Sequence, residues 1–267
     1  MKTKPNEYIL PSHTFEGERD FIEAEYLPSL IPEFAGNPLV EALPQDYYGQ
    51  ETIKGFASYP SFSDEQRFMP RSFRLHAVSR LRTFLETLPW HISVMQDIFK
   101  NVWNGYASRN PLVNRRQTLQ ERYRLAMQTG TVLPLQAHMP SHAATFGLLG
   151  PSGIGKSTVV DRSLQCLPQV LKHSKHGIVQ LVWLKVECPP DGSLKQLMYW
   201  ILEQVDEQLG SKYAKYITKQ MGLDDRMALV GRTLERHFTG LLVLDEIHNV
   251  LRDARWTGQP FVDIFEP

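Results

Sequence analysis

Cysteine is scarce in this sequence: only Cys166 and Cys188, with no Cys-x-x-Cys and no ligand spacing. That argues against a disulfide scaffold or a thiolate metal site and for two reduced thiols in a cytoplasmic protein. Long apolar runs are missing too. Nothing approaches the roughly eighteen consecutive apolar residues of a membrane span. The opening MKTKPNEYILPSH has no apolar core of a secretory leader. Net charge is absent, with 29 basic and 29 acidic side chains. At 42% hydrophobic and 22% charged, the 267 residues suit one globular domain with a sizeable extension, or two small domains.

The neutral total conceals an asymmetry. Residues 1–65 carry twelve Asp and Glu against four Lys and Arg, and residues 66–130 carry eleven Lys and Arg against three acids. An acidic leader beside a basic block fits a partner-binding tail followed by a nucleic-acid-facing or subunit-facing surface, Arg67 to Arg124. An arm folding back onto its own basic neighbour, or simply solvated faces, fits equally well.

Three regions are expected. Residues 1–70 are rich in proline, which breaks long helices, and read as an acidic extended arm whose YLPSLIPEF and NPLVEALP groups act as docking anchors. Residues 71–140 read as a basic helical segment. Its first helix is expected from Ser72 to the stop at Pro89, with Phe73, Leu75, Val78, Leu81, Leu85 and Leu88 on one stripe. A second follows in WHISVMQDIFKNVWNGY and a third ends at Gly130. Residues 141–267 change periodicity. TFGLL predicts a short buried strand, STVVDRSLQCL a helix, IVQLVWLKVEC a strand with Trp183 in the core, and SLKQLMYWILEQVDEQLG a helix. Another helix is expected over about 212–238, and GLLVLDEIHNV predicts a strand closing on two carboxylates. Strands alternating with helices imply an α/β fold with a mostly parallel sheet.

The stretch Gly150-Pro151-Ser152-Gly153-Ile154-Gly155-Lys156-Ser157 satisfies G-x-x-x-x-G-K-[ST] at every fixed position. The glycines let the backbone wrap closely, and the wrapped N–H groups make an anion nest. The helix starting near Lys156 adds its positive end. Lys156 would reach the β- and γ-phosphates of ATP, and the Ser157 hydroxyl would ligate Mg2+. After LLVL, Asp245 is the candidate Mg2+ carboxylate, and Glu246 is the candidate base that orients the attacking water. His173 and His176 read as loop residues rather than metal ligands. His248 could sense the nucleotide state or simply pack.

These residues resemble a family. The phosphate loop, PQVL after its helix, LKVECPPDGSLK, GLLVLDEIHNV and the upstream NPLVEALP, RLHAVSRL and GYASRNP are similar to TnsC/TniB, the AAA+ ATPases of Tn-type DNA transposons. The resemblance implies an AAA+ P-loop NTPase that binds ATP with Mg2+ and assembles as a homo-oligomer on double-stranded DNA. It also implies a link between a target-selector protein and a transposase, reset by hydrolysis. By position, Thr158 joins the nucleotide site. The sequence departs from the family after LRDARWTGQPFVDIFEP. The family's sheet runs 5-1-4-3-2, yet no sensor strand, fifth strand, trans-acting arginine motif or helical lid is found, so the core is expected to be incomplete at the C terminus. A non-hydrolysing interaction module with a vestigial nucleotide site is the alternative expectation, and a P-loop kinase or transferase a third. The Asp-Glu closure argues against the last.

Overall fold

The computed structural model describes residues 21–45, 54, 56–112 and 144–251. The chain divides into two compact units, Ala24–Gln169 and Met1–Glu23 with Val170–Pro267. The third helix expected before Gly130 lies outside the described residues.

In the unit Ala24–Gln169, Asn37 starts the short helix α1, Pro38–Glu41. Its side-chain oxygen accepts the Leu39 N–H at 3.1 Å, and Pro38 occupies a helix position that needs no donor. The same side chain donates through Nδ2 to the Tyr106 carbonyl at 2.8 Å. Leu39, Val40 and Leu43 of NPLVEALP are buried within this unit.

A second helix, α2, spans Arg71–Ser79 and tightens into a 3-10 turn, Arg80–Thr83. The sequence predicted a helix up to Pro89, and the structure stops it earlier. Leu85 instead exchanges both backbone hydrogen bonds with Ser58, at 2.8 and 2.9 Å, in an isolated antiparallel bridge. The expected stripe is real in spacing but not in burial: Phe73, Leu75, Val78 and Leu81 are exposed.

Pro89 opens α3, Pro89–Ala107, where His91 Nδ1 accepts the Leu88 N–H at 3.2 Å. Met95, Ile98, Phe99, Val102, Trp103 and Tyr106 recur at three- and four-residue steps and form the buried face. Helix α4, Lys156–Gln165, packs on α3 and buries Val159 and Leu164.

In the other unit, β1 (Ile22–Glu23) pairs parallel with β2 (Val170–His173), and β2 pairs antiparallel with β3 (Ile178–Leu181). The single strand expected in IVQLVWLKVEC is therefore two. The chain leaves the hairpin at Val182 and continues as β4, Trp183–Glu187, in a different sheet. Ser193 caps α5, Leu194–Leu209, which ends on left-handed Gly210.

The helix expected over about 212–238 is shorter, as α6, Leu223–Arg236. The Asp206 carboxylate takes the backbone N–H groups of Tyr213 and Ala214, at 2.6 and 2.7 Å, and folds that stretch into a 3-10 turn, Ala214–Tyr216. Strand β5, Leu241–Asp245, then pairs parallel with β4, from Trp183 opposite Leu241 to Glu187 opposite Asp245. This is the parallel neighbourhood the α/β reading requires. Leu184 and Val186 of β4 share a core with Leu197, Met198, Ile201 and Leu202 of α5.

Candidate nucleotide-binding site

The glycine loop takes the conformations its residue types permit. Gly153 and Gly155 have φ of +80° and +93°, a region that side-chain-bearing residues enter only with strain. A Cβ at either would meet no atom within 4 Å, so the demand is conformational and not steric. Gly155 stands at the N-cap of α4 without a side chain to cap it. The first intrahelical bond runs from the Val159 N–H to the Gly155 carbonyl at 2.9 Å. The N–H groups of a helix's first turn precede any carbonyl that could take them within the helix, and so face an anion readily. Lys156 turns back over its own loop, with Nζ donating to the carbonyls of Gly150 and Pro151 at 2.8 and 2.9 Å. Pro151, Ser152 and Ile154 fill the exposed bend between the glycines. Wrapped donors, a lysine folded over the loop and a hydroxyl in the first helical turn suit a polyphosphate.

The strand expected just before this loop is not formed. Residues 145–149 carry no strand, and Leu149 is 90% exposed. A short segment becomes a strand only where neighbours take its backbone groups, and none of the described strands ladders with it.

In the other unit, β5 delivers the carboxylates. The ladder closes at Asp245, whose carbonyl accepts the Cys188 N–H at 2.9 Å. Asp245 Oδ1 accepts the Glu246 N–H at 2.9 Å, and Oδ2 lies 3.1 Å from Lys185 Nζ. Glu246 is past the strand, not in it as the sequence suggested. It occupies a left-handed turn with φ of +54°, a sparsely populated conformation that stores backbone strain. There Oε2 meets His248 Nδ1 at 2.9 Å. His248 opens the short helix α7, His248–Leu251.

Sequence reasoning missed what holds this turn. The Cys188 carbonyl accepts from Asn249 Nδ2 at 3.3 Å, and Gly192 packs directly against the Asn249 backbone. Burial, with the carboxylates of Asp245, Glu187 and Glu246 nearby, pushes the Cys188 thiol up to about 11. Lys185 carried a visible signal, a charged residue between the buried Leu184 and Val186.

Among the described residues no cluster of three or more His, Cys, Asp or Glu could hold a metal ion. Of the expected loop residues, His173 proves to be a buried strand residue, held by Gln180 Oε1 at 2.8 Å, because β2 pairs with β3. No described helix is long and apolar enough to cross a membrane.

Residues 141–262, which include the loop and both carboxylates, match a family described as an AAA domain. With the parallel β4–β5 pair and its flanking helices, this supports an α/β P-loop NTPase fold and a nucleotide-binding, ATPase-like function. Comparison with curated proteins gives no match. The residues present suit ATP and Mg2+. Within its own unit, Lys156 and the loop N–H groups would hold phosphate, and the Ser157 hydroxyl would offer an oxygen ligand to the ion. Bound nucleotide and Mg2+ would supply the phosphoanhydride and its charge neutralisation.

Proposed function

We propose that this chain is an AAA+ ATPase of the TnsC/TniB kind, an ATP-dependent regulator of DNA transposition. The observation that carries the reading is the Gly150–Ser157 loop, with its two left-handed glycines opening α4 beneath Lys156. In this reading Gly150, Pro151, Ser152, Gly153, Ile154, Gly155, Lys156, Ser157 and Thr158 bind ATP. Ser157 and Asp245 ligate Mg2+, and Glu246 orients and deprotonates water. Double-stranded DNA, a transposase, a target selector and further copies of the chain are the partners. The exposed arginines Arg67, Arg71, Arg74 and Arg82 support a phosphate-facing surface on the basic block.

Filter retention of duplex DNA, with and without ATP, across a salt series tests the reading. Binding should require nucleotide and fall steeply with salt as counterions are released. DNA binding indifferent to both contradicts it.

One observation favours a second reading, a non-hydrolysing interaction module. Residues 145–149 form no strand under the phosphate loop. Phosphate release indistinguishable between wild type and Glu246→Gln, with nucleotide still bound, selects that reading.

A further inference from the structure

Residues 57–88 form α2 and two 3-10 turns, Asp64–Phe68 and Arg80–Thr83, without burying a single residue. The segment is nevertheless tied together. Helix α2 packs against the first of these turns. The Arg80 guanidinium donates to the Ser61 carbonyl at 3.1 Å and to Gln66 Oε1 at 2.6 Å. Its composition is one-sided: from Gln66 to Leu85 there are five arginines, no lysine and no acid. Arg71, Arg74 and Arg82 are exposed, with no ion-pair partner among the described residues. Arg67 lies 3.4 Å from Asp64 and sits over the Phe62 ring at 5.6 Å. Tyr59 and Phe84 pack edge to face on each other. Phe68 and Phe73 are 89% and 61% exposed, and among the described residues no ring or cation packs on either.

We infer that this surface binds single-stranded nucleic acid, with bases stacked on Phe68 and Phe73 and phosphates met by Arg71, Arg74 and Arg82. The inference rests on the reading of the basic block as a phosphate-facing surface, and extends it from duplex phosphates to unpaired bases. The arginines alone suit any polyanion, a duplex included. The phenyl rings decide. A duplex keeps its base faces stacked on one another, whereas an unpaired base offers a π-face that shields an exposed ring from water. A planar guanidinium also stacks on a base, which an ammonium group does not, and the segment uses arginine throughout. One ligand class thus answers both the uncompensated positive charge and the exposed rings. An acidic protein segment is the rival occupant.

The test is fluorescence anisotropy of a short labelled oligo(dT) strand, and of a duplex of equal length, with the full chain in ATP and Mg2+. Phe68→Ala should weaken oligo(dT) binding about fivefold or more, the scale of one lost base stack, and leave duplex binding unchanged. Phe68→Leu keeps apolar bulk without a π-face and should lose as much, while Phe68→Trp should keep wild-type binding. Arg74→Gln should weaken both ligands and flatten the salt dependence by about one phosphate contact. Circular dichroism on every variant guards against a folding defect. Oligo(dT) bound as tightly by Phe68→Leu as by wild type, or a duplex weakened equally by Phe68→Ala, overturns the inference. The phosphate-facing reading then survives if Arg74→Gln still weakens the duplex. If neither ligand binds, or Arg74→Gln moves neither, that reading has failed and the inference falls with it, as an acidic protein occupant would require.

Discussion

Gly192 has no room for a side chain against Asn249: a Cβ on Gly192 would lie 2.7 Å from the Asn249 carbonyl oxygen. The obstacle is backbone, which cannot rotate away. Gly192 also has φ of +71°. The loop after β4 and the turn carrying Glu246 and His248 are therefore packed backbone to backbone.

Gly192→Ala should destabilise the chain by about 2 kcal/mol or more, since strain and clash act together. Gly177 is a control within the same unit, because its φ is +64° but nothing lies near its Cβ. Gly177→Ala should cost only about 1 kcal/mol from conformation alone. Urea unfolding of the two variants checks the ranking. Equal losses would mean that the Gly192–Asn249 contact does not constrain the turn.

His237 predicts a dependence on pH. It is buried, with Nε2 2.8 Å from the Tyr213 hydroxyl, and burial pushes its pKa down to about 4. An unfolded histidine titrates near about 6.5. Between these values the unfolded chain binds the proton more tightly. The contribution to stability is thus complete above about pH 6.5 and is lost as pH falls toward 4. At pH 5 the loss from this residue should be about 2 kcal/mol relative to pH 8. Burial lowers His173 and His91 as well, so the same sign is expected from them. Urea unfolding at both pH values, for wild type and His237→Gln, isolates the term. A wild-type stability that is flat or rises on acidification would contradict it.

Asn37 joins two elements of the unit Ala24–Gln169. It caps α1 through its oxygen and ties that turn to the end of α3 through its Nδ2. Asn37→Ala loses both bonds and leaves the Tyr106 carbonyl without that donor, at a cost of about 2 kcal/mol. Asn37→Asp keeps the cap acceptor and loses the donor, so it should fall between the two. Denaturation midpoints give the order. An alanine variant as stable as wild type would remove the tie.

Local signals were legible in the sequence, and relations between distant segments were not. Ser193 and Gly210 mark the ends of α5 by capping chemistry that needs no tertiary context. The left-handed glycines Gly153 and Gly155 and the helix start at Lys156 were readable because they are local choices of conformation. The run 145–149 looked like a strand by composition, but a strand also depends on its neighbours. Likewise α2 stops short because Leu85 finds Ser58, far away in sequence, and His173 is buried because β3 folds back on β2. Lys185 and Gly192 bear on the carboxylates only through the β4–β5 register and one backbone contact, and neither is a spacing in the sequence.

The central claim is that the Gly150–Ser157 loop holds a nucleotide phosphate. Fluorescence titration of a methylanthraniloyl-ATP into the full chain, with and without Mg2+, tests it most directly. The account predicts saturable, Mg2+-dependent binding that is lost in Lys156→Ala, with unchanged circular dichroism. No saturable binding to the folded wild type, or binding that Lys156→Ala leaves intact, would contradict it.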